Sequence, residues 1–111
     1  MISATDPNLK FTSFGGNVAS TSGDFVFTNS SGTKLDHEIE KYASSSGQLV
    51  AWVEIASLSA TVDTTLYMYY GGPNTGASQE NKTGTWNTNY VGVWHMKETT
   101  GTNIADSTTS G

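Results

Sequence analysis

Short segments in which apolar and polar residues alternate, each followed by a turn-forming run, dominate this sequence. Side chains two residues apart point to the same side of an extended chain, so this alternation predicts half-buried β-strands. Gly, Ser, Asn and Pro between the segments favour turns. Residues 34–41 and 48–55 are expected to form an antiparallel hairpin across a loop at 42–47. The complete set of predicted strands is 24–28, 34–41, 48–55, 64–70 and 90–97.

The composition supports the same fold class. Thr, Ser, Gly and Asn supply 17, 14, 12 and 8 of the 111 residues, and these residue types are poor helix formers. Three Trp, five Tyr and four Phe can still supply a core. The length suits one domain. We therefore expect an all-β antiparallel β-sandwich of jelly-roll-like type, thin because it has only five or six strands.

The charge balance argues against two classes of partner. Five Lys, no Arg and ten acidic residues give a net charge of −5, so neither a nucleic acid nor an anionic membrane surface is expected. No apolar run is long enough to span a bilayer, and the first residues lack the pattern of a secretion signal. Without cysteine the chain has neither disulfides nor thiolate chemistry.

Asp36, Glu38 and Glu40 alternate along one predicted strand at a spacing of roughly 7 Å. The favoured interpretation is a solvated outer face of a half-buried strand. Two others stay open. The carboxylates could bind Ca²⁺, or they could serve as acid and base of a glycoside hydrolase, with Glu54 as a further candidate. Because the spacing is not that of a dedicated calcium loop, we predict no metal site and no cofactor and keep Ca²⁺ as a weak alternative.

His37 and His95 are the two histidines of the chain, each on an apolar face of a predicted strand. We expect both to be hydrogen-bonded residues of the core or of a sheet edge. A zinc site would need partners that the spacing does not offer. A serine nucleophile would need an elbow, and no Gly-x-Ser-x-Gly sequence is present.

Trp86 differs from the other large aromatic residues because it lies in a polar loop, residues 84–90. Aromatic rings flanked by amides suit carbohydrate binding, since the ring covers an apolar sugar face while the amides bond to hydroxyl groups. The candidate ligand-binding residues are therefore Trp86, Asn87, Asn89 and Tyr90. The competing and favoured interpretation of Trp86 is a ring that fills a junction between domains.

The runs at 24–40, 49–55 and 64–71, taken in order and spacing, resemble the bacterial and archaeal domain of unknown function 2341 family. Residues 90–96 resemble the opening strand of a concanavalin A-like lectin/glucanase (laminin G-like) domain. The resemblance implies a piece of a larger secreted or surface-anchored protein, in which the sandwich lacks an N-terminal strand. It also implies two units packed on one core, a truncated sandwich at 1–83 and a linker with a first lectin-like strand at 84–111. The family has no established catalytic residues.

We expect a non-catalytic extracellular or cell-surface module that acts in adhesion, as a spacer or in glycan contact. Its expected partner is a glycan or a neighbouring domain of a larger protein. One alternative is a fragment of a glycoside hydrolase that uses the strand carboxylates. Another is an assembly module in which residues 90–97 pair with a vacant sheet edge, within the chain or in a second copy.

Overall fold

The computed structural model describes residues 1–19, 22–72 and 77–110, which form two antiparallel three-stranded sheets. The strands are β1 (Ile2–Thr5), β2 (Val26–Asn29), β3 (Lys34–Leu35), β4 (His37–Ala43), β5 (Gln48–Val53) and β6 (Leu66–Tyr69). The helical parts are one turn of α-helix, α1 (Lys82–Thr85), and 3-10 turns at Pro7–Leu9, Thr12–Phe14 and Ser22–Asp24. Within these ranges no helix has the length and apolar character needed to cross a lipid bilayer. The predicted all-β, sandwich-like class is confirmed.

The first sheet has the strand order β1–β5–β4 and contains the predicted hairpin. β4 and β5 pair antiparallel, with His37 opposite Val53 at one end. A bulge between Ile39 and Lys41 inserts Glu40 as an extra residue. An extra residue of this kind bends the strand and re-aims the neighbouring side chains, and in this protein the bulge lies beside the candidate site described below.

The second sheet has the order β3–β2–β6. The sequence predicted a single strand at 34–41, whereas the structure divides it at Asp36 into β3 and β4, which belong to different sheets. Asp36 is thus the point at which the chain passes from one layer of the sandwich to the other. Alternation continues through such a corner, so periodicity alone does not reveal it.

The core lies between the two sheets. Phe27 of β2 is fully buried with Leu49 and Ala51 of β5. Phe25, which comes just before β2, packs edge-on against Tyr42 with ring centroids 5.0 Å apart. Truncation of a buried phenylalanine to alanine costs about 3–5 kcal/mol. Because residues from both sheets share this cluster, its burial is what holds the layers together.

A buried carboxylate fastens the loops at one end of the second sheet. Asp24 accepts hydrogen bonds from the backbone N–H groups of Ala19, Gly71 and Gly72. Gly71 has a φ of +78°, and a Cβ at this position would lie 2.6 Å from the carbonyl oxygen of Asn17. The Gly71–Gly72 turn follows the strand predicted at 64–70. The Asp24 carboxylate holds it, and its positive φ and lack of space favour glycine at position 71.

The strand predicted at 90–97 is wrong. This segment makes one isolated antiparallel bridge, Trp94 with Asp106, and no ladder within the described part of the chain. Met96 has a φ of 55°, which interrupts an extended backbone. The Val93 N–H is instead satisfied by the Asp106 side chain at 2.9 Å. The Asp106 side chain, thirteen residues further along the chain, has thus taken the place of a neighbouring strand.

Candidate functional site

Glu38 lies on the face of the first sheet that points away from the core, opposite Trp52. The neighbouring pair, Ile39 and Ala51, faces the core. Glu38 is nevertheless completely buried, with 0% of its surface exposed. The prediction that Asp36, Glu38 and Glu40 form a solvated outer face is therefore wrong at Glu38. Residues 81–110, which we call the C-terminal segment, lie over Glu38 and shield it from solvent.

Both oxygens of the Glu38 carboxylate are occupied by the C-terminal segment. Oε2 accepts hydrogen bonds from Trp86 Nε1 at 2.8 Å and pairs with His95 Nε2 at 3.0 Å. Oε1 accepts one from Ser107 Oγ at 2.8 Å and lies 3.6 Å from Lys82 Nζ. Burial by itself raises the pKa of Glu38, but the hydrogen bonds from Trp86, Ser107 and His95 and the charge of His95 outweigh it, so this pKa is lowered. The residue is an ionised anchor.

His95 connects Glu38 to a second carboxylate. Its Nδ1 contacts Glu40 Oε2 while its Nε2 faces Glu38. The same Glu40 oxygen accepts a hydrogen bond from Trp52 Nε1 at 3.1 Å. The bulge that inserts Glu40 into β4 lets two carboxylates of one strand reach one imidazole. We call the trio of Glu38, His95 and Glu40 the carboxylate bridge.

Ser107, His95 and Glu38 are the residue types of a serine nucleophile system, but their order is unsuitable for that chemistry. The Ser107 hydroxyl donates to Glu38, not to the histidine. Both ring nitrogens of His95 face carboxylate oxygens, which leaves no free nitrogen to act as base toward the serine. Ser107 is also buried, with 8% of its surface exposed. The arrangement holds the segment in place and does not activate a nucleophile.

Beside the bridge lies a cleft of about 320 Å³, which we call the aromatic cleft. The Trp52 and Trp86 ring centroids are 5.3 Å apart, and those of Trp86 and Tyr90 are 5.1 Å apart in an edge-on arrangement. Trp86 is mostly buried at 8% exposure, whereas Tyr90 is 47% exposed. The remaining lining residues are Met1, Val53, Glu54, Ile55, Leu58, Thr85 and Asn87.

The structure thus brings together Trp86, Asn87 and Tyr90 of the predicted ligand-binding set, and it adds Glu54 from the predicted carboxylates. Asn89 is not among the lining residues, and its backbone N–H is bonded to Asn87 Oδ1 at 3.0 Å in a turn. Because Asn87 Oδ1 accepts this bond, the side-chain NH2 group of Asn87 is the part of its amide that remains available to a ligand, as a donor.

The predicted carboxylates do not gather into a metal centre. No group of three or more His, Asp or Glu side chains among residues 1–19, 22–72 and 77–110 is placed to hold an ion. Asp36 is half-buried at the corner between the sheets, away from the aromatic cleft lining. The carboxylate oxygens of Glu38 and Glu40 already contact His95 and accept hydrogen bonds from indole N–H and hydroxyl groups.

Comparison with protein families decides where the chain belongs. The family model described as "Domain of unknown function (DUF2341)" matches residues 21–109. The chain belongs to this family. No curated protein and no solved structure matches it. The match to DUF2341 continues past residue 83, where the sequence had predicted the end of the first unit, and so it includes Trp86, His95 and Ser107.

The parts of the DUF2341 site that sequence reasoning missed are Ser107 and the link from His95 to both carboxylates. Ser107 lies among the Thr, Ser and Gly residues of a tail that has no period. The one signal that pointed to this site was Trp86, a large aromatic residue in a polar loop, which donates to the buried Glu38 carboxylate.

His37 is the second buried ionisable residue of the DUF2341 domain's first sheet. Its ring packs edge-on against Phe27 at 5.0 Å, and neither ring nitrogen has a hydrogen-bond partner among the described residues. The expected core position is correct, but the expected hydrogen bond is not found there. Burial lowers the pKa of His37 below its ordinary value, against smaller opposing effects that include the Leu35 backbone. The ring is therefore neutral at pH 7.

Proposed function

We propose that this DUF2341 domain is a non-catalytic module that contacts glycans through the aromatic cleft. The observation that supports this most strongly is the juxtaposition of Trp52, Trp86 and Tyr90 with Asn87 and Glu54 in one concave surface. Ligand sites typically combine aromatic walls with a few polar groups that fix orientation. Sugars offer matching chemistry, because they carry both apolar C–H faces and hydroxyl groups.

The size of the cleft favours a small ligand. Its volume of about 320 Å³ is at the lower end of the usual range for small-molecule sites, about 300–1,000 Å³. The exposed ring of Tyr90 is the accessible aromatic surface, while Trp86 forms a rigid floor because its indole nitrogen is bonded to Glu38. A terminal sugar unit of a longer chain fits this geometry better than an internal stretch.

The charge of the cleft favours neutral sugars or amino sugars over acidic ones. Glu54 lines it, and no lysine is among its lining residues. The chain has no arginine and a net charge of −5. A uronic acid or a sulfated sugar would therefore meet a carboxylate and no cation.

The proposed location is outside the cell or on its surface, in a larger protein in which the domain serves in adhesion or as a spacer. A low share of charged residues, 14%, and the many Ser, Thr and Asn residues support this role. The likeness of residues 90–96 to the first strand of a concanavalin A-like domain remains a hypothesis about the neighbouring unit. In this structure His95, which lies within that stretch, contacts Glu38 of the first sheet of the DUF2341 domain.

The glycoside hydrolase alternative has less support. That chemistry needs two carboxyl groups on either side of the scissile bond. Glu54 is the one acidic residue that lines the cleft in the described chain. Glu38 is buried and saturated, and Glu40 is bonded to Trp52 and contacts His95.

The assembly alternative now involves a different part of the chain from the one predicted from sequence. Residues 90–97 form no ladder, so they do not fill a sheet edge within the described chain. β6 is an outer strand of the second sheet, and its Tyr67 and Tyr69 side chains are 48% and 55% exposed. Pairing of two copies along this edge would give a dimer. Light scattering over a concentration series tests it, because a constant monomer mass excludes the pairing.

A glycan array paired with a hydrolysis assay tests the proposal. We expect binding to neutral or amino sugars, no turnover, and binding weakened by about tenfold or more in Tyr90→Ala, the usual size of an effect at an aromatic anchor. Tyr69→Ala is the matched control, since this tyrosine is equally exposed but lies on the other sheet. Equal losses in both variants, no binding to any glycan, or turnover that Glu54→Gln abolishes would contradict the proposal.

A further inference from the structure

The two tryptophans of the aromatic cleft are held by different carboxylates. Trp86 Nε1 donates to Glu38 Oε2 at 2.8 Å, and Trp52 Nε1 donates to Glu40 Oε2 at 3.1 Å. A buried indole N–H without an acceptor is costly, so each ring is directed by its carboxylate. The positions of the two carboxylates therefore constrain the orientations of the two rings.

His95 lies between those carboxylates. Its side chain is 10% exposed, and its two ring nitrogens each face a carboxylate oxygen. A neutral imidazole has one N–H and one bare nitrogen, and the bare nitrogen would face a negatively charged oxygen. The protonated ring donates to both sides and carries the charge that two carboxylates at close range require. The geometry is therefore complete only with a cationic ring.

We propose that His95 is a positioning residue that, as a cation between two carboxylates, sets the relative orientation of the cleft's tryptophans. The aromatic cleft is then in its binding geometry only while His95 joins both carboxylates. The effect on ligand binding rests on the proposed function, but the effect on the two rings does not.

Two lysines of the described chain lie near the bridge. On α1, Lys82 Nζ is 3.6 Å from Glu38 Oε1. In the C-terminal segment, Lys97 Nζ lies 3.4 Å from each of the backbone carbonyl oxygens of Ile39 and Glu40. Both lysines add positive charge near Glu38 and Glu40 without supplying a second bridge between them.

Circular dichroism reports the proposed arrangement without any ligand. Two indoles with centroids 5.3 Å apart couple electronically, and the sign and intensity of their couplet depend on the mutual orientation. Trp94 is outside this pair, so Trp94→Phe leaves the couplet in place and serves as the background. We expect this couplet in the folded parent protein, in which His95 contacts both carboxylates.

The variants separate positioning from simple stability. His95→Gln, which lacks both the second ring nitrogen and the positive charge, is expected to weaken the couplet while the far-ultraviolet strand signal persists. Glu54→Gln is the matched control, because this residue lines the cleft without joining the bridge, and its couplet should equal that of the parent. A folded His95→Gln variant with the parent's couplet would overturn the proposal.

Nitrogen-15 spectra of the histidine rings keep the test decisive if His95→Gln does not fold. In the unmodified protein, under the conditions of the circular dichroism measurement, we expect protons on both ring nitrogens of His95 and a single proton on the ring of His37. One bare nitrogen on His95 under those conditions would overturn the bridge. A confirmed bridge in a protein that binds no glycan would contradict the proposed function alone.

Discussion

Trp86 Nε1 donates a hydrogen bond of 2.8 Å to Glu38 Oε2, and the two residues are 48 positions apart in the chain. This contact joins the N-terminal end of β4 to a segment that has almost no regular secondary structure of its own. Glu38 is fully buried because of it, and Trp86 becomes the floor of the aromatic cleft. One buried carboxylate thus links the stability of the C-terminal segment to the geometry of the candidate binding surface.

Replacement of Glu38 by glutamine is expected to destabilise the domain by about 3 kcal/mol or more, the size of effect found when a buried ion pair loses one partner. Glutamine keeps the shape but cannot accept from Trp86, Ser107 and His95 with a full negative charge. Urea unfolding followed by circular dichroism measures the loss. Glu54→Gln, a half-buried carboxylate of the cleft, should change the unfolding free energy by less than about 0.5 kcal/mol. Similar midpoints for the two variants would contradict the anchoring role.

Two buried groups, His37 and Glu38, are each expected to lower the free energy of unfolding as the solution is acidified below pH 7. The pKa of His37 in the folded state lies below 6.5, so the unfolded chain takes up a proton more readily and stability decreases as pH falls below 6.5. The pKa of Glu38 in the folded state lies below 4.5, so its contribution is present above 4.5 and is lost as pH falls through the folded value. Each group changes stability by at most about 1.4 kcal/mol per pH unit.

Urea titrations at a series of pH values from 7.5 to about 3, each extrapolated to water, measure this dependence. His37→Leu is the comparison for the first part of this range, because all other titrating groups are common to the two proteins. An equal pH dependence of the unfolding free energy between pH 7 and about 5 in the parent and in His37→Leu would contradict the burial of a neutral His37. A gain in stability on acidification below 4.5 would contradict an ionised Glu38.

His37→Leu is expected to leave the domain as stable as the parent, or to stabilise it. The ring is buried, neither nitrogen has a partner in the described chain, and an apolar side chain of similar volume avoids the cost of an unsatisfied polar group. The variant should also lose the first part of the acid sensitivity. His95→Leu is the contrasting substitution, which removes the cation from between two carboxylates. A large loss of stability in His37→Leu, equal to that of His95→Leu, would show that the His37 ring has a polar role.

Gly47→Ala is expected to cost more stability than Gly32→Ala. Both glycines have positive φ, 73° and 80°, so alanine carries a similar backbone strain of about 1–2 kcal/mol at each. At Gly32 a Cβ would meet open space, whereas at Gly47 it would overlap the Asp6 carbonyl oxygen. The overlap adds about 1–3 kcal/mol. Thermal unfolding of the two variants checks the difference, and equal losses would mean that the N-terminal strand does not pack against this hairpin.

The hairpin and the core were predictable from sequence, because alternation tells which residues share a face. Alternation puts Leu49 and Ala51 on one face of residues 48–55, and both are buried; Glu38 lies on the face of its strand that points away from the core. Alternation does not tell what covers the other side. Glu38 was therefore predicted to be exposed, although a carboxylate beside a Trp on an outer face is an obvious acceptor for another part of the chain.

The segment 90–97 shows a second limit. Its alternating residues have the composition of a strand, but a strand needs a neighbour with free backbone groups. Here the Asp106 side chain supplies the acceptor to Val93, and Met96 turns the backbone out of the extended region. Such contacts depend on residues far along the chain and leave no periodic trace, and for the same reason the bridge from His95 to Glu38 and Glu40 was not predicted.

Hydrogen exchange at the tryptophan indoles tests the anchoring of the C-terminal segment most directly, and the protein carries its own reference. Trp86 Nε1–H is bonded to a buried carboxylate, while Trp94 is 55% exposed. We predict that the Trp86 indole proton exchanges far more slowly than that of Trp94, and that Glu38→Gln brings the two rates closer together. Equal exchange of both indole protons in the unmodified protein would contradict the account.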